Sequence, residues 1–102
     1  MLLYANSDQE LTQLLTTHNR ALLFFSASWC QPCKQMSPII NKLIEDNQEL
    51  VVIKIDIEKC LTTTKNLHIM SIPNFCKWAD NIMGPLSSGT QTKKALEDIL
   101  SE

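Results

Sequence analysis

The chain has 102 residues, 44% of them apolar and 20% charged, with a formal net charge of −2. That length suits one domain, residues 1–102, with a single hydrophobic core, and the composition excludes a disordered chain. The charge carries no footprint for nucleic acid or an acidic membrane surface, and no apolar run approaches the ~20 residues that span a bilayer.

The start, Met1-Leu2-Leu3-Tyr4-Ala5-Asn6, lacks the basic residues and long apolar stretch of a secretory signal. The expected compartment is therefore the reducing cytoplasm. Leu2 to Tyr4 read as a short edge strand. Ser7-Asp8-Gln9-Glu10 is a capping box: the Ser7 hydroxyl accepts from the Glu10 amide, and the Glu10 side chain returns to the Ser7 amide. Leu11, Leu14 and Leu15 follow at helical spacing, which predicts a helix to about His18. Ala21-Leu22-Leu23-Phe24-Phe25 is a continuous apolar run, as expected of a strand covered on both faces.

Pro32 is placed for the first turn of the next helix, which carries Met36, Ile39, Ile40, Leu43 and Ile44 on one face. Pro38 should kink it. Leu50 to Ile57 is a second apolar, β-branched run and predicts a second central strand. Glu58 to Leu67 is a helix of modest propensity, weakened by Thr62, Thr63 and Thr64. Asn74 to Trp78 is a third strand, and Asp80-Asn81 turns the chain into a fourth around Ile82 and Met83. Thr90 or Thr92 caps a final helix with Ala95, Leu96, Ile99 and Leu100 inward. The predicted order is β-α-β-α-β-α-β-β-α, an α/β fold with a central mixed sheet flanked by helices. The alternating first half implies parallel strands with right-handed crossovers, and the closing hairpin adds an antiparallel edge.

The cysteines are Cys30, Cys33, Cys60 and Cys76. In a small secreted domain four cysteines would read as two structural bridges. This chain has apolar residues enough for a core without staples, and in a reducing compartment a close pair reads as catalytic or metal-binding. Cys30 follows a central strand and opens a helix, where the helix dipole and free amides favour negative charge. A thiolate there is stabilised, so its pKa should fall below the free value of ~8.5. Cys33 lies one helical turn along, within reach of a disulfide. Cys30, the more exposed, is the expected nucleophile, and Cys33, the deeper, the resolving thiol. The competing reading is half of a zinc site. It needs further ligands, and Cys60, Cys76, His18 and His68 are scattered in sequence. No metal is expected.

The segment Phe25-Ser26-Ala27-Ser28-Trp29-Cys30-Gln31-Pro32-Cys33-Lys34, with Pro38, Lys54-Ile55-Asp56, Ile69-Met70-Ser71-Ile72-Pro73 and Gly89, resembles the thioredoxin family over nearly the whole chain. The resemblance implies the thioredoxin fold and reduction of protein disulfides by dithiol exchange. It implies a cis Ile72–Pro73 bond facing the cysteines, which leaves the Ile72 backbone free to pair with an extended substrate. Trp29, Ile72, Pro73 and Gly89 would line a shallow apolar groove, with Gln31 and Pro32 beside it. The implied partners are proteins with disulfides and an electron donor of the flavin- and NADPH-dependent thioredoxin reductase type. No cofactor beyond the Cys30–Cys33 disulfide is implied, and a monomer is expected. A glutaredoxin would carry a paired glycine, and no Gly-Gly occurs.

Several positions depart from the family. Phe24 stands where thioredoxins usually carry a buried aspartate that helps move the proton off the resolving cysteine, and Lys54 remains at the position that would face it. Gln31 replaces a glycine, Asn74 a threonine, and Asn81 the glycine of the late hairpin. These departures point to a divergent thioredoxin with a narrower set of partners. Lys34 either draws thiolate charge to the helix start or is simply solvated. Cys60 stands where some eukaryotic thioredoxins have a regulatory, non-catalytic cysteine; the competing and preferred reading is a small packed residue. Cys76 reads as inert core. Two other classes share these residues: a disulfide oxidase or isomerase, separated from a reductase only by its potential, and a binding subunit that uses the groove without chemistry.

Overall fold

The computed structural model describes residues 1–102. Strand β1 (Leu2–Ala5) leads to helix α1 (Asp8–Thr17), then β2 (Arg20–Ser26), α2 (Gln31–Gln35), α3 (Ser37–Asp46), β3 (Val52–Asp56), α4 (Leu61–Asn66), β4 (Asn74–Ala79), β5 (Ile82–Met83), β6 (Ser87–Ser88) and α5 (Lys93–Ser101). The sheet runs β1-β3-β2-β4-β5, with β6 also on β4. The β1–β3 and β2–β3 pairs are parallel, and β4 runs antiparallel to β2. The mixed sheet and its flanking helices are those expected from the sequence.

The details differ at four places, and a fifth settles between two candidates. The helix after the cysteines is broken at Met36, where a single kinked helix was expected. Pro38 has no amide to continue the hydrogen-bond ladder. The Met36 amide instead closes a tight turn on the Cys33 carbonyl (3.1 Å), and a new helix starts with Ile40 N–H on the Met36 carbonyl (2.8 Å). Residues 57–60 form a turn rather than the first turn of a helix. The Asp56 carboxylate accepts from the Glu58 amide (2.8 Å) and the Asp56 carbonyl from the Lys59 and Cys60 amides, an arrangement that competes with helix at a short acidic residue. The expected fourth strand is two pieces, β5 opposite Trp78–Ala79 and β6 opposite Asn74–Phe75. Between them Pro85 has no N–H for the ladder. Glu10 closes its capping box on the Asn6 amide (3.0 Å) rather than that of Ser7, while Ser7 Oγ accepts from Glu10 N–H as expected. Thr92, not Thr90, caps α5, its hydroxyl accepting from the Ala95 amide (3.0 Å). At Asp80 and Asn81 both φ angles are positive, 53° and 63°, as the tight hairpin turn requires.

The strand period of two divides the core. Leu22 and Phe24 of β2 and Val52 of β3 face Met36, Ile40 and Leu43 of the α2–α3 segment and Leu96 and Leu100 of α5. Ala21, Leu23 and Phe25, with Ile53 and Ile55, face Leu11 of α1 and Cys60 at the start of α4. Both central strands are thus covered on both faces, which explains their unbroken apolar runs. Fully burying each Leu, Ile or Phe contributes about 1.5–3 kcal/mol.

Candidate active site

Beyond β2 the chain turns at Ser28–Trp29, where the Cys30 amide donates to the Ala27 carbonyl (3.2 Å). Cys30 then caps α2 with an extended backbone (φ −84°, ψ 107°), and Pro32 sits in the first turn. The Cys33 amide donates to Cys30 Sγ at 3.2 Å. The two cysteines are joined as a disulfide, with Cα atoms 5.2 Å apart. In the dithiol form the same amide would face a Cys30 thiolate, and a hydrogen bond to a charged sulfur favours ionisation.

The expected contrast between an open Cys30 and a deep Cys33 is not found in their exposures, which are 3% and 1% in the disulfide form. Their surroundings differ instead. Cys30 lies between Trp29, 62% exposed, and the exposed Gln31 and Pro32. Both cysteines belong to the cluster that holds Phe24, Met36 and Phe75, so the difference lies in the exposed chain neighbours of Cys30. Lys34 is exposed in the last turn of α2.

Phe24 is 2% exposed and stacks on Phe75 across the β2–β4 pair, with ring centroids 4.9 Å apart. Lys54 Nζ stands 5.7 Å from the Phe24 ring centre. The lysine is half-buried and also lines a recess of about 180 Å³ with Tyr4, Asn6, Ser26, Ala27, Ser28 and Asp56. Its charge lies over the ring while its stem runs along the recess.

Pro73 immediately precedes β4, whose first residue, Asn74, pairs with Phe25 at the end of β2. The Ile72–Pro73 segment therefore lies at the same end of the sheet as Ala27 and the cysteine turn. Its peptide bond is cis, and Pro73 is buried. No hydrogen bond within the chain engages the Ile72 amide or carbonyl. Gly89 donates its amide to the Pro73 carbonyl at 2.8 Å. Its φ is +91°, and a Cβ there would meet nothing within 4 Å, so backbone conformation rather than space requires glycine. Asn74 is buried. Its Nδ2 donates to the Ser71 carbonyl (3.3 Å) and its Oδ1 accepts from the Phe75 amide.

Cys60 is fully buried, and its Sγ donates to the Ala5 carbonyl at 3.4 Å. Burial, with the charges of Asp8, Asp56 and Glu10, pushes its thiol up to about 11. Burial alone pushes Cys76 up to about 12. Neither is a surface thiol. Both lie across the sheet from the disulfide, and no three His, Cys, Asp or Glu side chains gather as metal ligands would. His18 uses its carbonyl to accept from Trp78 Nε1 (3.0 Å), and His68 is exposed.

Two features of the site escaped the sequence. Met70, two residues before Ile72 in the chain, is 91% exposed. Gln91 donates its amide to Met36 Sδ at 3.4 Å, joining residues that no local pattern relates. The largest recess, about 660 Å³, is lined by Arg20, Glu49, Glu97 and Leu100 among others. Arg20 opens β2, so this recess is at the far end of the sheet from the cysteines.

The family model of Thioredoxin matches residues 3–102. The thioredoxin of Mycoplasmoides gallisepticum is 31% identical over 91 residues, covering 89% of this chain and 91% of that protein. The thioredoxin of Bacillus subtilis is 30% identical over 88 residues, 85% of each chain. Among solved structures, the reduced Schistosoma mansoni thioredoxin pre-protein superposes with a TM-score of 0.88 at 25% identity, over 98% of this chain and 95% of that one.

Proposed function

Because the chain belongs to the thioredoxin family and is by kind a thiol–disulfide oxidoreductase, we propose that it reduces protein disulfides with Cys30 as nucleophile and Cys33 as resolving thiol. The observation that carries this assignment is the Cys33 amide aimed at Cys30 Sγ within a formed Cys30–Cys33 bond. In the dithiol form the Cys30 thiolate attacks one sulfur of the substrate disulfide. A Cys30–substrate bond forms, and the other substrate sulfur leaves as a thiolate and takes up a proton. Cys33 then gives up its proton and attacks Cys30 Sγ, which expels the second substrate sulfur as a thiolate that takes up a proton in turn. The substrate has gained two electrons and two protons, and the protein holds the disulfide seen here.

An extended substrate segment is proposed to pair with the free Ile72 amide and carbonyl. Trp29, Ile72, Pro73 and Gly89 are its walls, and Gln31, Pro32 and Lys34 lie where they meet the partner. A flavin- and NADPH-dependent reductase protein is the proposed electron donor. The proposed setting is a monomer in the cytoplasm, where a dithiol form persists. No helix is long and apolar enough to cross a membrane.

Insulin reduction with dithiothreitol tests the assignment. Wild type should accelerate precipitation of the insulin B chain, and Cys30→Ser should not. Cys33→Ser should accumulate a mixed disulfide visible by mass. Equal rates for wild type and Cys30→Ser would instead support the binding-subunit reading.

A further inference from the structure

The redox helix and the far wall of the groove are joined by one chain of contacts. Met36 N–H donates to the Cys33 carbonyl (3.1 Å). Met36, wholly buried at the break between α2 and α3, receives the Gln91 amide on its sulfur (3.4 Å). The Gln91 carboxamide Nε2 donates to the carbonyls of Ser88 and Gly89, both at 3.2 Å. Gly89 N–H donates to the Pro73 carbonyl (2.8 Å), and Ser88 pairs with Asn74.

Each contact is modest, but together they connect Cys33 to Pro73 through residues 88–91. The loop has little else to hold it. β6 is two residues long, Thr90 is exposed, and nothing packs against the open side of Gly89. Without the Gln91 side chain the Ser88 and Gly89 carbonyls would turn to water, and the Gly89 wall would lose its register with the cysteines.

We propose that Gln91 is a positioning residue. By bridging Met36 to the Ser88 and Gly89 carbonyls, it holds the Gly89–Pro73 wall at the spacing an extended protein substrate needs. The inference rests on the proposed reductase function. It touches docking and leaves the sulfur chemistry alone. A protein substrate uses the wall; a small aromatic disulfide needs only access to Cys30.

The test uses the intact dithiol protein in single-turnover oxidation by insulin and by 5,5′-dithiobis(2-nitrobenzoate). Gln91→Met keeps the length of the side chain and removes both donors. Met36→Leu removes the sulfur acceptor and keeps the core filled. For each, the rate with limiting insulin should fall about fivefold, the range of one or two lost neutral hydrogen bonds. The loss should appear as weaker half-saturation, with the rate at saturating insulin and the rate with the aromatic disulfide within about twofold of wild type. A matching fall with both oxidants, or no fall with insulin, would overturn the proposal. Wild-type turnover of insulin and its loss in Cys30→Ser test the underlying function separately.

Discussion

Phe24 stands at the position where the thioredoxin resemblance implies a buried aspartate. An aromatic ring stacked on Phe75 beneath a lysine cannot accept a proton, so Cys33 must lose its own to water or substrate. Release of the mixed disulfide is therefore expected to be slow, and Phe24→Asp should make it about 100-fold faster, the low end of what a positioned general base contributes. The same change should lower stability by about 3 kcal/mol or more, because a fully buried ring is removed. Phe24→Asn controls for the lost ring. Quenched-flow mass analysis of a Cys30–substrate adduct distinguishes the two, and an aspartate variant no faster than the asparagine variant would show that no base is missing.

Short elements of this fold depend on residues outside themselves. Helix α4 has poor propensity and no side-chain cap of its own. Asp8, in the first turn of α1, supplies one: its carboxylate accepts from the Thr63 hydroxyl (2.7 Å), the Thr63 amide (2.9 Å) and the Thr62 amide (3.2 Å). These bonds, the Thr63 hydroxyl first, hold the Asp8 carboxyl below the usual carboxylate range. A lowered carboxyl pKa contributes stability that is present above the unfolded value and lost as pH falls through the folded one. Asp8→Asn should therefore be less stable than wild type at neutral pH, with the gap closing as pH falls below the ordinary carboxylate range. Urea unfolding at a series of pH values measures this, and a gap independent of pH would place the effect in shape rather than charge. Loss of α4 amide protection in hydrogen exchange should accompany it.

At the scale of the whole molecule, the sheet divides one core into two that share strands but few side chains. Ile40 packs on the side of the disulfide and Ile53 on the side of Cys60. Ile40→Val and Ile53→Val should each cost about 0.5–1.5 kcal/mol. The double variant should lie within about 0.5 kcal/mol of their sum, as for sites without shared partners. Denaturant midpoints with an unchanged m-value provide the check, and a larger coupling would show the two faces communicating through β2 and β3. The disulfide sits at one end of this scaffold, beyond the close of β2, and belongs to the core that holds Met36 and Ile40.

Much was legible in the chain itself. Apolar runs at Ala21–Phe25 and Leu50–Ile57 announced central strands, because burial on both faces leaves no room for polar alternation. Trp29-Cys30-Gln31-Pro32-Cys33 announced both the helix start and the sulfur chemistry, because two residues of spacing set the geometry of the pair. Contacts between distant residues stayed hidden. Nothing local says that Asp8 caps α4, that Glu10 reaches past Ser7, that Pro38 ends one helix and begins another, or that Met36 and Gln91 meet. Near exclusion of water from both sulfurs of the disulfide likewise arises only when Phe24, Met36 and Phe75 close around them. Local spacing determines which groups can react; the packing of remote segments decides how they are held, screened and approached.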